Sequence, residues 1–167
     1  TSFALNIAYN IAASSRYNPR KSVAFFSLEM SNSELSKRVI SSTLHIDSEK
    51  LRLGTLEESD WDDLYDFWHD TLPNVNFVMD DTPAITVLDI KSKLRKINNL
   101  GLVVIDYLQL MNSSKNTESR VQEISELTRS LKLMAKEIDV PVVLLSQLSR
   151  GVEKEDRTPR LSDLRDS

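Results

Sequence analysis

Apolar and polar positions along the chain follow two alternating periods. Residues 102–106 read Leu-Val-Val-Ile-Asp, a branched aliphatic run of strand length that ends on a carboxylate. Such a run predicts a strand buried on both faces, as in a parallel sheet. Val23-Ala24-Phe25-Phe26-Ser27-Leu28-Glu29 and Pro141-Val142-Val143-Leu144-Leu145-Ser146-Gln147 repeat the pattern and also end on polar side chains. Asn76-Phe77-Val78-Met79-Asp80 predicts a further strand, closed by a turn at Thr82-Pro83.

Helical spacing fills the intervals. Phe3, Ile7 and Ile11 recur at i, i+4 and i+8 beside Ala4, Leu5, Ala8 and Ala12, which predicts an opening helix packed on a core. Ser31 and Glu34 have the spacing of a capping box for a helix over about 32–45. Residues 57–72 predict one acidic amphipathic helix, with Trp61, Leu64, Tyr65 and Trp68 along one face as core or subunit packing. Thr86 and Asp89 cap a basic helix to about 98, with Val87, Ile90, Leu94 and Ile97 inward. After a polar loop at 107–117, a long helix over 118–138 turns Val121, Ile124, Leu127, Leu131 and Met134 to the core. Strands alternating with such helices predict an α/β fold with right-handed crossovers. The sheet is mostly parallel, flanked by helices, with the polar strand ends along one edge.

The 167 residues suffice for one domain, and 40% apolar with 28% charged residues is the balance of a globular protein. The net charge of −4 gives no global basic signal, so any nucleic-acid surface must be local or shared between subunits. No cysteine is present, which removes disulfides and thiolate metal sites. His45 and His69 fall in helical patterns away from the strand ends. No apolar run approaches the roughly 20 residues of a membrane span.

Candidate chemistry lies at the strand ends. An Asp there points into the crevice where α/β sheets bind ligands, and in nucleotide hydrolases it holds Mg²⁺. The plainer reading of Asp106 alone is a core strand that ends in a turn-forming residue. Together, Glu29 to polarise water, Asp106 for metal and Gln147 to sense phosphate suit nucleoside triphosphate hydrolysis. Such an enzyme is expected to carry a phosphate-cradling loop just before its first helix. The three glycines, Gly54, Gly101 and Gly151, do not form one within the chain.

Ser27-Leu28-Glu29-Met30, Val104-Ile105-Asp106-Tyr107-Leu108-Gln109-Leu110, Ser146-Gln147-Leu148-Ser149-Arg150-Gly151-Val152-Glu153 and Ser162-Asp163-Leu164-Arg165 occur in this order. Together they closely resemble the carboxy-terminal ATPase domain of the DnaB family of replicative helicases, along the whole chain. The resemblance implies a RecA-like P-loop NTPase core, with 1–167 as a single partial domain truncated at both ends. It implies that Thr1 is the Walker A Thr whose hydroxyl binds Mg²⁺ with Asp106, both beside ATP. Glu29 then corresponds to the catalytic carboxylate and Gln147 to the γ-phosphate sensor. Arg165 and Asp166 lie where family members touch the DNA backbone, although many relatives carry Glu in place of Asp166.

The function so implied is an ATP-dependent replicative helicase, a cytoplasmic homohexamer that translocates on single-stranded DNA and unwinds the duplex at the fork. Primase and a helicase loader are implied as partners through the full-length protein, with no membrane partner. The resemblance also implies a Gly-Lys before Thr1, an arginine finger beyond Ser167 and an amino-terminal primase-binding domain. The isolated segment is therefore expected not to hydrolyse ATP. Both ends fall close to places where helicases of this family are interrupted by inteins, so an extein segment is one expectation. The alternatives are another RecA-type ATPase and a non-catalytic helicase-like module. The helicase-type blocks speak against the first, and the three convergent polar groups against the second.

Overall fold

Two strands with both faces buried organise the molecule. The computed structural model describes residues 1–16, 19–112, 119–148 and 158. Strand β1 (Ser22–Ser27) is buried at every position, and β3 (Leu100–Asp106) from Leu102 onward. They pair in parallel at the centre of a four-stranded sheet, flanked by β2 (Phe77–Asp80) and β4 (Val142–Leu144) in the order β2-β1-β3-β4. All three pairings are parallel.

The pleat divides the aliphatic runs between two cores. Ala24, Phe26, Val103 and Ile105 face α5 (Val87–Leu94) and α6 (Arg120–Ile138), where Ile90, Leu94, Ile124, Leu127, Leu131 and Met134 are buried. Val23, Phe25, Leu102 and Val104 face α1 (Ser2–Ala13) and α2 (Asn32–Leu44), against Ala4, Leu5, Ala8, Ala12, Leu35 and Val39. The result is the α/β layering expected from the sequence, a parallel sheet between two helical layers. A bulge at the start of the β1–β3 ladder pairs Ser22 with Leu100 and Val23 with Leu102. Gly101 is the extra residue, and a Cβ there would approach Lys21 Cβ to 2.7 Å.

Several sequence expectations are corrected in detail. Helix α1 buries its Ala4–Ala8–Ala12 ridge with Leu5, while Phe3 is 81% exposed and Ile7 also faces outward. An alanine ridge lets a helix approach the sheet more closely than a Phe and Ile ridge would. Residues 57–72 are not one regular helix. After α3 (Ser48–Leu53), which the pattern did not predict, α4 spans Glu58–Asp66 and widens into a π turn at Phe67–Thr71. The chain then tightens at Leu72–Asn74, where Pro73 has no N–H to continue the helix. Phe67 enters the core, whereas Trp61, Tyr65 and Trp68 are each about 60% exposed, so the aromatic stripe is not core. Helix α6 leaves Val121 exposed. The segment expected as a polar loop after β3 opens with a short 3₁₀ turn, Leu108–Leu110, and buries Leu108 and Met111.

Both expected capping boxes form. Ser31 and Glu34 bond reciprocally at α2, and Thr86 and Asp89 at α5. At the end of β2, Lys93 Nζ approaches Asp80 Oδ2 (2.5 Å) and Thr82 Oγ1 (2.6 Å). Burial raises the Asp80 pKa, but Lys93 and Thr82 outweigh it and hold the carboxyl below its usual value. A depressed carboxylate pKa adds stability above the unfolded-state value and loses it as pH falls through the folded value. Lys93→Met should therefore lower the unfolding free energy by about 0.5–1 kcal/mol near neutrality, discounted for the partial exposure of the pair. The gap should begin to shrink below the ordinary Asp value of about 3.9 and close once the pH is below the lower folded value. Urea unfolding at both pH values measures it, and a gap persisting in acid would assign the loss to packing of the lysine stem.

Candidate functional site

The parallel sheet brings the ends of β1, β3 and β4 to one edge. Beyond β1 the chain turns through Leu28, Glu29 and Met30 before α2. Ser27, 1% exposed, locks this turn: its hydroxyl donates to the Met30 carbonyl (2.8 Å) and accepts from the Met30 N–H (3.1 Å). On the far side, the Asp81 carboxylate accepts from the backbone N–H (2.8 Å) and side-chain amide (3.0 Å) of Asn32. Glu29 is thus exposed on a turn anchored at both ends.

Asp106 is the last residue of β3, opposite Ser27 in the ladder. Its carbonyl accepts from the Leu28 N–H (2.7 Å), which joins the Glu29 turn to the end of β3. The side chain is 3% exposed, and its buried Oδ2 has no hydrogen-bond partner among the described residues. Such an oxygen is costly to bury unless a cation or donor meets it. Beyond β4, the Leu145 N–H donates to the Ile105 carbonyl (2.9 Å) and the Leu145 carbonyl accepts from the Leu108 N–H (3.0 Å). Those two bonds carry Ser146 and Gln147 alongside Asp106.

The fourth contribution comes from α1. Thr1 is the N-cap, its carbonyl accepting from the Leu5 N–H (2.9 Å), but its hydroxyl makes no capping bond. The amino end of a twelve-residue helix offers free N–H groups and a positive dipole end, a setting suited to phosphate.

Thr1, Glu29, Asp106 and Gln147 line one pocket of about 250 Å³. Each residue singled out from the sequence as catalytic or metal-binding is therefore brought to the same place. Tyr107, Leu145 and Ser146 complete the wall. Sequence reasoning missed these three; their signal was adjacency to Asp106 and Gln147, once the two strands were taken as neighbours. A larger hollow of about 590 Å³ beside α6 and β4 holds none of Thr1, Glu29, Asp106 and Gln147, so size alone does not mark the site. His45 closes α2 in a left-handed conformation and His69 stacks on Tyr65 (4.3 Å between rings), both outside the pocket. Arg165 and Asp166 lie outside the described residues.

The pocket fits a metal that shares its shell with phosphate. No group of three His, Cys, Asp or Glu able to hold a metal occurs among the described residues. Mg²⁺ needs no such cage: one or two protein oxygens suffice when phosphates and water supply the rest. The orphaned Asp106 Oδ2 and the uncommitted Thr1 hydroxyl are oxygens of that kind. No helix among the described residues is long and apolar enough to cross a membrane.

Fold and site together define an α/β core of the class that binds its ligand at the carboxyl ends of parallel strands. The sequence matches the DnaB-like helicase C terminal domain over residues 1–167, and the chain belongs to that family. It is 46% identical over 172 residues to the replicative DNA helicase DnaB of Geobacillus stearothermophilus, and 44% identical over 172 residues to the replicative DNA helicase DnaC of Bacillus subtilis. In each comparison all of this chain is covered, and it spans 37% of the relative's length. Among solved structures, an ATPase domain superposes with a TM-score of 0.86 at 37% identity, covering 99% of this chain and 59% of that one. A DnaB-like replicative helicase studied with its primase interactions superposes at 0.87 and 36% identity, covering 100% of this chain and 40% of that one. The RecA-like fold expected from the motifs is thereby borne out.

Removing the Ser27 hydroxyl takes the side-chain partner from both the part-buried N–H and the part-buried carbonyl of Met30. Ser27→Ala should lower the unfolding free energy by about 1–3 kcal/mol. Equilibrium denaturation measures this, and an unchanged midpoint would mean that Asp81 and the α2 cap hold the turn unaided.

Proposed function

We propose that this chain is part of the ATPase domain of a replicative DNA helicase, residues 1–167 forming a single partial RecA-like domain. The whole protein acts in the cytoplasm as a homohexameric ring on single-stranded DNA and unwinds the duplex at the replication fork with energy from ATP. The observation that carries this reading is the meeting of Thr1, Glu29, Asp106 and Gln147 in one pocket at the amino end of α1.

In this reading ATP lies with its phosphates at the helix terminus. The Thr1 hydroxyl and the Asp106 carboxylate would hold Mg²⁺, which would neutralise charge on the phosphate oxygens. Glu29, exposed at the pocket, orients the attacking water and accepts its proton. The Gln147 amide donates to the γ-phosphate, and loss of that phosphate changes the segment leading to residues 149–167. There Arg165 and Asp166 contact the DNA backbone, so each hydrolysis event shifts the grip on one strand. Primase and a loader are partners of the complete protein; primase is supported by the structurally similar DnaB-like helicase, which was studied with it. A non-catalytic module of the same fold would have no use for a buried, unpaired Asp106 oxygen beside Glu29.

Glu29→Gln in the full-length helicase should leave ATP binding largely intact and reduce turnover by about 10²–10⁴-fold, the range for loss of a positioned acid–base group. Steady-state hydrolysis with a parallel nucleotide-binding titration reads both, and near-normal turnover would remove Glu29 from the catalytic role. Arg165→Ala should weaken single-stranded DNA binding and flatten its salt dependence by about one unit of slope. An unchanged slope would show that Arg165 touches no phosphate.

A further inference from the structure

Gln109 lies outside the pocket, in the 3₁₀ turn just past β3. Its side chain reaches the segment that carries Gln147. Nε2 donates to Ser146 Oγ (2.9 Å) and to the Gln147 carbonyl (3.0 Å), and Oε1 accepts from the Gln147 backbone N–H (3.2 Å). One primary amide thus meets both backbone polar groups of Gln147, as a neighbouring strand would. It does so where the ladder has run out: β4 ends at Leu144, and among the described residues the last backbone-to-backbone bonds to this segment are those of Leu145. Gln109 is itself tied down, because its carbonyl accepts from Arg120 Nη2 (2.6 Å) in the first turn of α6. Arg120 is held in turn by Glu123 (2.6 Å).

We infer that Gln109 is a positioning residue for hydrolysis, fixing the backbone of Gln147 so that its side chain stays on the pocket beside Glu29 and Asp106. The inference rests on the reading of Gln147 as the γ-phosphate sensor. Only an amide serves here. A glutamate of the same shape has no donor for Ser146 or for the Gln147 carbonyl and sets a negative charge against that carbonyl. Gln109 does not line the pocket, so its loss should act on turnover rather than on nucleotide affinity.

The test uses the assembled full-length helicase with single-stranded DNA, comparing Gln109→Glu, Gln147→Ala and the double variant. Gln109→Glu should lower kcat by about 10- to 100-fold, the scale of a misplaced reacting group, while KM for ATP stays close to wild type. The double variant should be no slower than Gln147→Ala alone, because Gln109 acts through Gln147. Rates are referred to nucleotide sites titrated with a non-hydrolysable analogue, so partial assembly does not pass for slow chemistry. Ser146→Ala, which removes one acceptor of the same clamp, should give a smaller loss in the same direction and serves if Gln109→Glu fails to assemble. Normal kcat in Gln109→Glu and Ser146→Ala, with Gln147→Ala inactive, would overturn the role of Gln109 alone. Additive losses would overturn its action through Gln147. Full activity of Gln147→Ala would overturn the sensor reading and this inference with it.

Discussion

Ser27 stands opposite Asp106 in the ladder between β1 and β3, and that register is the constraint on which the site depends. Both strands are buried on two faces, so a slip by one residue would exchange every side chain between the α1–α2 core and the α5–α6 core. Phe25 would trade a layer shaped by alanines for one shaped by leucines and isoleucines, and Phe26 the reverse. Such a penalty fixes the relative height of the two strand ends, and the Leu28–Asp106 bond transmits that height to the Glu29 turn. The distance between Glu29 and Asp106 is thus settled by packing well below the pocket.

The same core sets the electrostatic character of the site. Asp106 is carried into a nearly dry position by the strand that precedes it, leaving one carboxylate oxygen without a protein donor among the described residues. Helix α1, drawn close to the sheet by its alanine ridge, presents its positive end to the same pocket. An unsatisfied anion and an unsatisfied set of donors face one space, which favours a ligand that carries both a cation and phosphate oxygens.

Much of this was legible in the sequence because buried parallel strands write long aliphatic runs, and because parallel order sends their ends to one edge. Glu29, Asp106 and Gln147 could be set together on that logic alone. The orientation of amphipathic helices was less legible. In α1 the large residues Phe3 and Ile7 look like the core face, but the close approach of the backbone to the sheet favours the alanines. At 57–72 the expected face already fails in α4, where Trp61 and Tyr65 are exposed, and at the π turn it is Phe67 that goes inward while Trp68 stays exposed. Side-chain clamps such as Gln109 leave no periodic trace, since they depend on two segments 38 residues apart meeting in space.

The brevity of β4 gives the domain two separate scales of stability. Three residues join it to β3, and past Leu145 Ser146 and Gln147 are held by hydrogen bonds of about 1 kcal/mol each. Releasing those bonds exposes little apolar surface and leaves both cores intact. The Gln147 amide should therefore exchange its hydrogen through a shallow local opening, while the amides of β1 and β3 wait for global unfolding. Ser146 and Gln147 thus sit at the shallow end of that range, although they lie beside the buried end of β3.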